Sequence, residues 1–141
     1  MRFRTTLAGV LVCALALIAA LAVSSASARL LQGRTSQKYP IKVAVNGGKL
    51  KLLHFKAKLS CADGSVLIDT ESGFQPTQIR RGGRFQDVQV GSTDEVILKG
   101  RRQGNVVKGK IRVIDHIGAK KIKCHSRLVK FTVRPKSGKK S

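Results

Sequence analysis

Apolar and polar residues alternate with a period of two along most of the chain beyond residue 40, a pattern that predicts β-strands. The alternation is clear in 41–45 and in the long run 49–61. Within the long run, the apolar phase changes between Leu52 and Leu53, as it does at a β-bulge. The intervening Asn46-Gly47-Gly48 supplies residues that tolerate a positive φ, so the two runs are predicted to form a hairpin.

Further runs of this kind follow along the chain. They are 65–70, 74–79 (an edge strand or loop, because Pro76 interrupts it), 84–90, 96–103, 106–113 and 122–133. Gly104-Asn105 joins two of them as a two-residue turn, and this register places Gly100 opposite Gly109. The last run changes phase between Leu128 and Val129.

No segment beyond the N-terminal apolar run shows a sustained 3.6-residue period, so no helix longer than about one turn is expected. About eight short strands separated by turns are typical of an antiparallel β-sandwich or a small barrel. We predict a single all-β domain over 29–134, preferring the sandwich to the barrel, followed by a basic tail at 135–141.

The N-terminus has the three parts of a secretory signal peptide. Arg2 and Arg4 precede an apolar run from Leu7 to Val23, and Ala26-Ser27-Ala28 has the small-x-small form of a cleavage site. Cleavage after Ala28 is therefore predicted, giving a secreted protein without a transmembrane segment. The alternative is an uncleaved membrane anchor, for which the run is slightly short.

Removal of residues 1–28 would take Cys13 with it and leave Cys61 and Cys124. Two cysteines in an exported chain most often pair. A zinc site would require about four ligands at short spacings, and the sequence contains no such cluster. We predict a Cys61–Cys124 disulfide, with no metal and no cofactor.

Four parts of the sequence form a recognisable set: Gly33-Arg34-Thr35-Ser36-Gln37, the lysine-rich strand that ends in Cys61-Ala62-Asp63-Gly64-Ser65, Gly73-Phe74, and Cys124-x-Ser126 with Val129-Lys130-Phe131-Thr132. Together they resemble a recurring set of small secreted actinobacterial proteins of uncharacterised function. The resemblance covers nearly all of the mature chain. It implies a β-rich fold with a disulfide and carries no catalytic residue.

Charge is the one indication of function. The chain has 28 Lys and Arg, of which Arg2 and Arg4 fall in the signal, so the mature protein has 26 against 7 acidic residues and a net charge of +19. Six of the seven acids lie between positions 63 and 95. Strand alternation places many basic side chains on one outward face, and if their strands are neighbours that face would attract anionic polymers. The candidate residues are Lys49, Lys51, Lys56, Lys58, Lys99, Arg101, Lys108, Lys110, Arg112, Lys123 and Arg127.

The expected partner is an anionic cell-envelope polymer or a lipid headgroup. Nucleic acid fits less well, because bases need aromatic stacking platforms and this chain has few aromatic residues. The competing interpretation is a structural or stress-related secreted domain with no ligand, in which the lysines serve solubility and block edge-to-edge association.

An enzyme is the third and least favoured class. Asp69 with Glu71, and Asp115 with His116, are the candidate acid–base pairs. Residues such as Asp69 and Glu71 more often form the polar end of a strand, and a pair such as Asp115-His116 more often opens a turn. Since no hydrolase, metalloprotease or phosphate-loop motif occurs, we expect no catalytic activity.

Overall fold

The computed structural model describes residues 27–137, and the predicted signal peptide up to residue 26 and the last four residues lie outside them. Ten antiparallel strands make up nearly all of the ordered structure. They are β1 (Arg29–Thr35), β2 (Pro40–Asn46), β3 (Lys49–Cys61), β4 (Val66–Ser72), β5 (Thr77–Gln78), β6 (Arg84–Val90), β7 (Asp94–Gln103), β8 (Val106–Ile117), β9 (Ile122–Ser126) and β10 (Val129–Pro135). Within 27–137 the helical content is one three-residue 3₁₀ turn, Arg81–Gly83. No helix in this range is long and apolar enough to cross a membrane.

Six of the strands close into a barrel in the order β10, β1, β2, β3, β9, β8, with β8 pairing back to β10. The all-β antiparallel fold is as predicted, but the closed ring corresponds to the barrel alternative and not to the preferred sandwich. Closure depends on two pairings between distant segments, β10 with β8 and β3 with β9. A period of two in the sequence reports only which face of a strand is buried, so it does not distinguish the two architectures.

The long strands β3 and β8 each carry additional strands on the edge that faces away from the ring. β4 and the two-residue β5 pair with β3. β7 pairs along the length of β8, and β6 then pairs with β7. The phase change that the sequence shows after Leu128 separates β9 from β10, which pair with different parts of β8. β1 was not among the predicted strands.

The barrel interior is filled mainly by valine, leucine and isoleucine, as expected for a chain with few aromatic residues. The β2–β3 register shifts between Lys42 and Val43, so Leu53 is the extra residue of the predicted bulge. Phe55 and Phe74 stack with their ring centroids 5.7 Å apart. Cys61 and Cys124 face each other across β3 and β9 and form the predicted disulfide, with an S–S distance of 2.02 Å.

Candidate functional site

A row of four residues with unusual composition crosses β6, β7, β8 and β10. Phe85 pairs with Gly100, Gly100 with Gly109, and Gly109 with Phe131. Both phenylalanines are buried, and their rings occupy the space that side chains on the two glycines would need. A Cβ on Gly100 would lie 2.5 Å from Cζ of Phe85, and one on Gly109 would lie 2.5 Å from Cζ of Phe131. The row therefore faces inward, and because neighbours on a strand point to opposite faces its outward side is bare backbone.

Basic residues stand on both sides of this row. Because neighbours on a strand point to opposite faces, the residues before and after each member of the row share the outward face. They form two cross-strand rows, Arg84, Arg101, Lys108 and Thr132 on one side, and Gln86, Lys99, Lys110 and Lys130 on the other. Seven of these eight side chains are exposed and Thr132 is half-buried.

Together these rows and the adjoining 3₁₀ turn line an open groove of ≈ 860 Å³, which we call the basic groove. Its basic residues are Arg80, Arg81, Arg84, Lys99, Arg101, Lys108, Lys110 and Lys130. None of the described residues that line it is acidic. The chain contains seven acidic residues, so a groove lined by eight cations and no acidic residue concentrates positive charge more than the net charge of the chain alone would.

One guanidinium of the basic groove is held in place by the fold. Nε of Arg101 donates a hydrogen bond of 3.0 Å to the carbonyl oxygen of Gly82 in the 3₁₀ turn. Gly82 has a φ of 79°, a conformation that glycine adopts without strain. The bond uses Nε alone, so the terminal nitrogens of Arg101 remain free to contact an anion.

The structure brings four of the eleven sequence-predicted binding residues together in the basic groove, namely Lys99, Arg101, Lys108 and Lys110. Arg112 lies further along β8, opposite Ile97, and does not line the groove. The remaining residues do not line it: Lys49, Lys51, Lys56 and Lys58 are on β3, Lys123 is on β9, and Arg127 lies between β9 and β10.

Four groove residues were missed by the sequence reasoning: Arg80, Arg81, Arg84 and Lys130. The arginines come from the stretch that holds most of the acids, and only the β6–β7 register places Arg84 opposite Arg101. Lys130 was passed over because it follows the phase change in the last run, although it pairs with Lys110.

Acidic residues gather elsewhere, around Glu71 on β4. This side chain is buried, and burial raises the pKa of Glu71 to about 8, with further contributions from Asp69, Asp94 and Asp115. Such a carboxyl would hold a proton at neutral pH, as a general acid does. However, Glu71 lines neither the basic groove nor the second cavity, of ≈ 490 Å³, which includes Phe74, Asp87 and Asp94.

The side chains of the second candidate acid–base pair, Asp115 and His116, contact backbone groups. The Asp115 carboxylate accepts a 2.7 Å hydrogen bond from the backbone N–H of His116. Nδ1 of His116 lies 3.3 Å from the carbonyl oxygen of Thr93. The two side chains are therefore not hydrogen-bonded to each other in this arrangement. Among residues 27–137 there is also no group of three or more His, Cys, Asp or Glu that could hold a metal ion.

Comparison with protein-family models, with curated proteins and with solved structures found no match to this chain. The functional argument therefore depends on the geometry and charge of the basic groove.

Proposed function

We propose that this protein is a secreted, non-catalytic binding module that retains an anionic polymer or a lipid headgroup of the cell envelope on its basic groove. The observation that carries the proposal is the ≈ 860 Å³ groove with eight cationic and no acidic lining residues. Solubility requires only charges dispersed over the surface. In the groove, by contrast, cations stand directly opposite one another on neighbouring strands, which is unfavourable for the folded protein. A bound anion would relieve this repulsion.

Binding would proceed by charge neutralisation. Each lysine or arginine that meets an anionic group of the polymer displaces a condensed counterion, which makes the affinity dependent on salt and independent of sequence. Because several cations act together, individually weak contacts add to a useful affinity. Neither carboxylates nor histidines line the groove in the described part of the chain, so bound polymer meets no acid–base pair there.

The test is retention on a polyanion as a function of salt. The mature protein should bind an anionic matrix at low ionic strength, and the logarithm of its affinity should fall linearly with the logarithm of the salt concentration. The triple variant Lys99→Gln, Lys108→Gln, Lys110→Gln should weaken binding and flatten that slope by about 3, one for each neutralised contact.

A matched control is available on β3, where Lys49, Lys51 and Lys58 are also exposed but lie outside the groove. Their triple Gln variant loses the same three charges and should bind nearly as the parent does. Equal losses in both triples would mean that net charge alone acts. Absence of binding at low salt would reject the module and favour a structural secreted domain without a ligand.

A further inference from the structure

We infer that the basic groove holds one flexible chain of closely spaced phosphates, lying across β6, β7, β8 and β10. The inference rests on the proposed function and narrows it from polyanions in general to a single phosphate-bearing strand. Polyphosphates, polyol-phosphate polymers and single-stranded nucleic acids share this chemistry.

The spacing of the cations favours a densely charged ligand. Neighbouring strands lie about 4.8 Å apart, and positions i and i+2 on one strand are about 7 Å apart. Cations of the basic groove therefore recur every ~5–7 Å in two directions. A polymer with a charge on each backbone unit meets them in succession. A polysaccharide with one carboxylate per several sugars would leave most of the cations unpaired.

The width of the groove favours a single strand. Its two walls are the cross-strand rows that contain Arg101 and Lys99, which are two residues apart on β7. Between them lies the outward side of the row from Phe85 to Phe131, which carries no side chains because its members face inward, so a narrow chain can approach the sheet closely. A flat bilayer surface would contact the tips of the walls and leave this floor empty.

The two ends of the groove differ in the kind of cation. The β6 end has the arginines Arg80, Arg81 and Arg84, the β8 and β10 end has the lysines Lys108, Lys110 and Lys130, and β7 between them carries one of each, Arg101 and Lys99. A guanidinium presents a planar pair of donors that matches two phosphate oxygens, and Arg101 is already oriented by Gly82. The arginine end therefore suits a terminal phosphate, which carries more charge than an internal one.

Bases would add nothing to this site. The rings of Phe85 and Phe131 lie under the sheet and are only 2% and 4% exposed. They provide no stacking surface in the groove, and stacking on aromatic side chains is what gives single-stranded nucleic acids their extra affinity. Phosphate chains with and without bases should therefore bind alike for the same number of charges.

Direct titration of the folded mature protein at one ionic strength tests these points. The probes are linear polyphosphates of increasing length, a glycerol-phosphate oligomer, oligodeoxythymidine and polyglutamate with equal charge counts, and anionic lipid vesicles. Polyphosphate affinity should rise steeply until the chain spans three inter-strand gaps, about 14 Å, and slowly thereafter. The glycerol-phosphate oligomer and the oligonucleotide should agree within about threefold, and polyglutamate, whose charges lie at the ends of side chains and not on the backbone, should bind more weakly than either.

Three outcomes would each overturn the inference while leaving polyanion binding intact. They are equal binding of polyglutamate, preference for vesicles, and much tighter binding of the oligonucleotide than of the base-free oligomer. No binding of any probe would overturn both this inference and the proposed function.

A charge-preserving variant adds a sharper readout: Arg101→Lys should weaken phosphate-chain binding by about three- to tenfold. Arg102→Lys is the matched control, because Arg102 is outside the groove and its Nε also donates to a glycine carbonyl, that of Gly104, at 2.9 Å. Equal effects of the two substitutions would contradict the role of the guanidinium.

Discussion

At each end of the β7–β8 hairpin, residues of the same charge face each other across the two strands. The charges are positive at one end and negative at the other. Near the Gly104 turn, Lys99 pairs with Lys110 and Arg101 pairs with Lys108, whereas at the open end Asp94 pairs with Asp115. Both arrangements place repelling groups directly across the ladder, which is unfavourable. The fold handles this repulsion differently at each end.

At the basic end the side chains are long and exposed, so water screens them. At the acidic end Asp115 and Glu71 are each only 8% exposed. There the protein limits the repulsion by holding a proton, since burial raises the pKa of Glu71 to about 8. The comparison teaches that the basic charge is available to an outside partner, while part of the acidic charge is neutralised inside the fold.

The largest expected effect comes from the disulfide, which lies at the acidic end because Cys124 pairs with both Cys61 and Asp115. The double variant Cys61→Ser, Cys124→Ser should lower the free energy of unfolding by about 4 kcal/mol, since the bond closes a loop between residues 63 positions apart. Urea unfolding of the two proteins measures the difference. Hydrogen exchange of the variant should show earlier opening of β9 than of the groove strands. A loss below about 1 kcal/mol would contradict the chain-entropy estimate.

The next effect concerns the floor of the basic groove. Gly100→Ala should destabilise the protein by about 2 kcal/mol, because its Cβ would lie 2.5 Å from Phe85 and 2.7 Å from Cα of Gly109. Gly48→Ala is the control: its nearest neighbour is the end of the exposed Gln78 side chain at 3.1 Å, which can shift into solvent, so a smaller change in melting temperature is expected. Similar melting temperatures for the two variants would show that the floor tolerates a side chain.

A pH dependence of stability should originate at the acidic end. The folded protein binds the Glu71 proton more tightly than the unfolded chain does, so stability should fall as pH rises from about 4.5 to about 8. The slope from one such group is at most about 1.4 kcal/mol per pH unit. Glu71→Gln should remove this part of the slope while keeping the side-chain volume. Denaturant unfolding at pH 5 and pH 8 measures it, and an unchanged slope in the variant would assign the dependence to other groups.

Sequence patterns predicted the parts of the fold that depend on residues close together in the chain. Alternation located most strands, the phase change at Leu52 located the bulge, and the Gly104-Asn105 turn fixed the Gly100–Gly109 register. Closure of the barrel was not predictable in this way, because β10–β8 pairing joins residues on both sides of the intervening β9. β1 was missed since its buried positions, Leu31 and Thr35, show little apolar alternation.

Only half of the basic groove could be found from the sequence, for a similar reason. Lys99, Arg101, Lys108 and Lys110 belong to one hairpin, where a turn sets the pairing. Arg84 and Lys130 join them through β6 and β10, whose register depends on tertiary structure. Charge counted along the chain places the arginines near position 80 within the stretch that holds six of the seven acids, and gives no sign that they line the groove.

The smallest expected effect is on stability at the basic end. Removing three groove charges with Lys99→Gln, Lys108→Gln, Lys110→Gln should raise the free energy of unfolding by a few tenths of a kcal/mol at low salt, because each lysine stands opposite another cation. The gain should disappear near 1 M salt, where the screening length is about 3 Å. The control triple on β3 should show no such gain, since Lys49, Lys51 and Lys58 pair with the uncharged residues Asn46, Ala44 and Ile68. Stabilisation of both triples to the same extent would mean that the repulsion is spread over the whole molecule, and the groove would then not be a distinct concentration of charge.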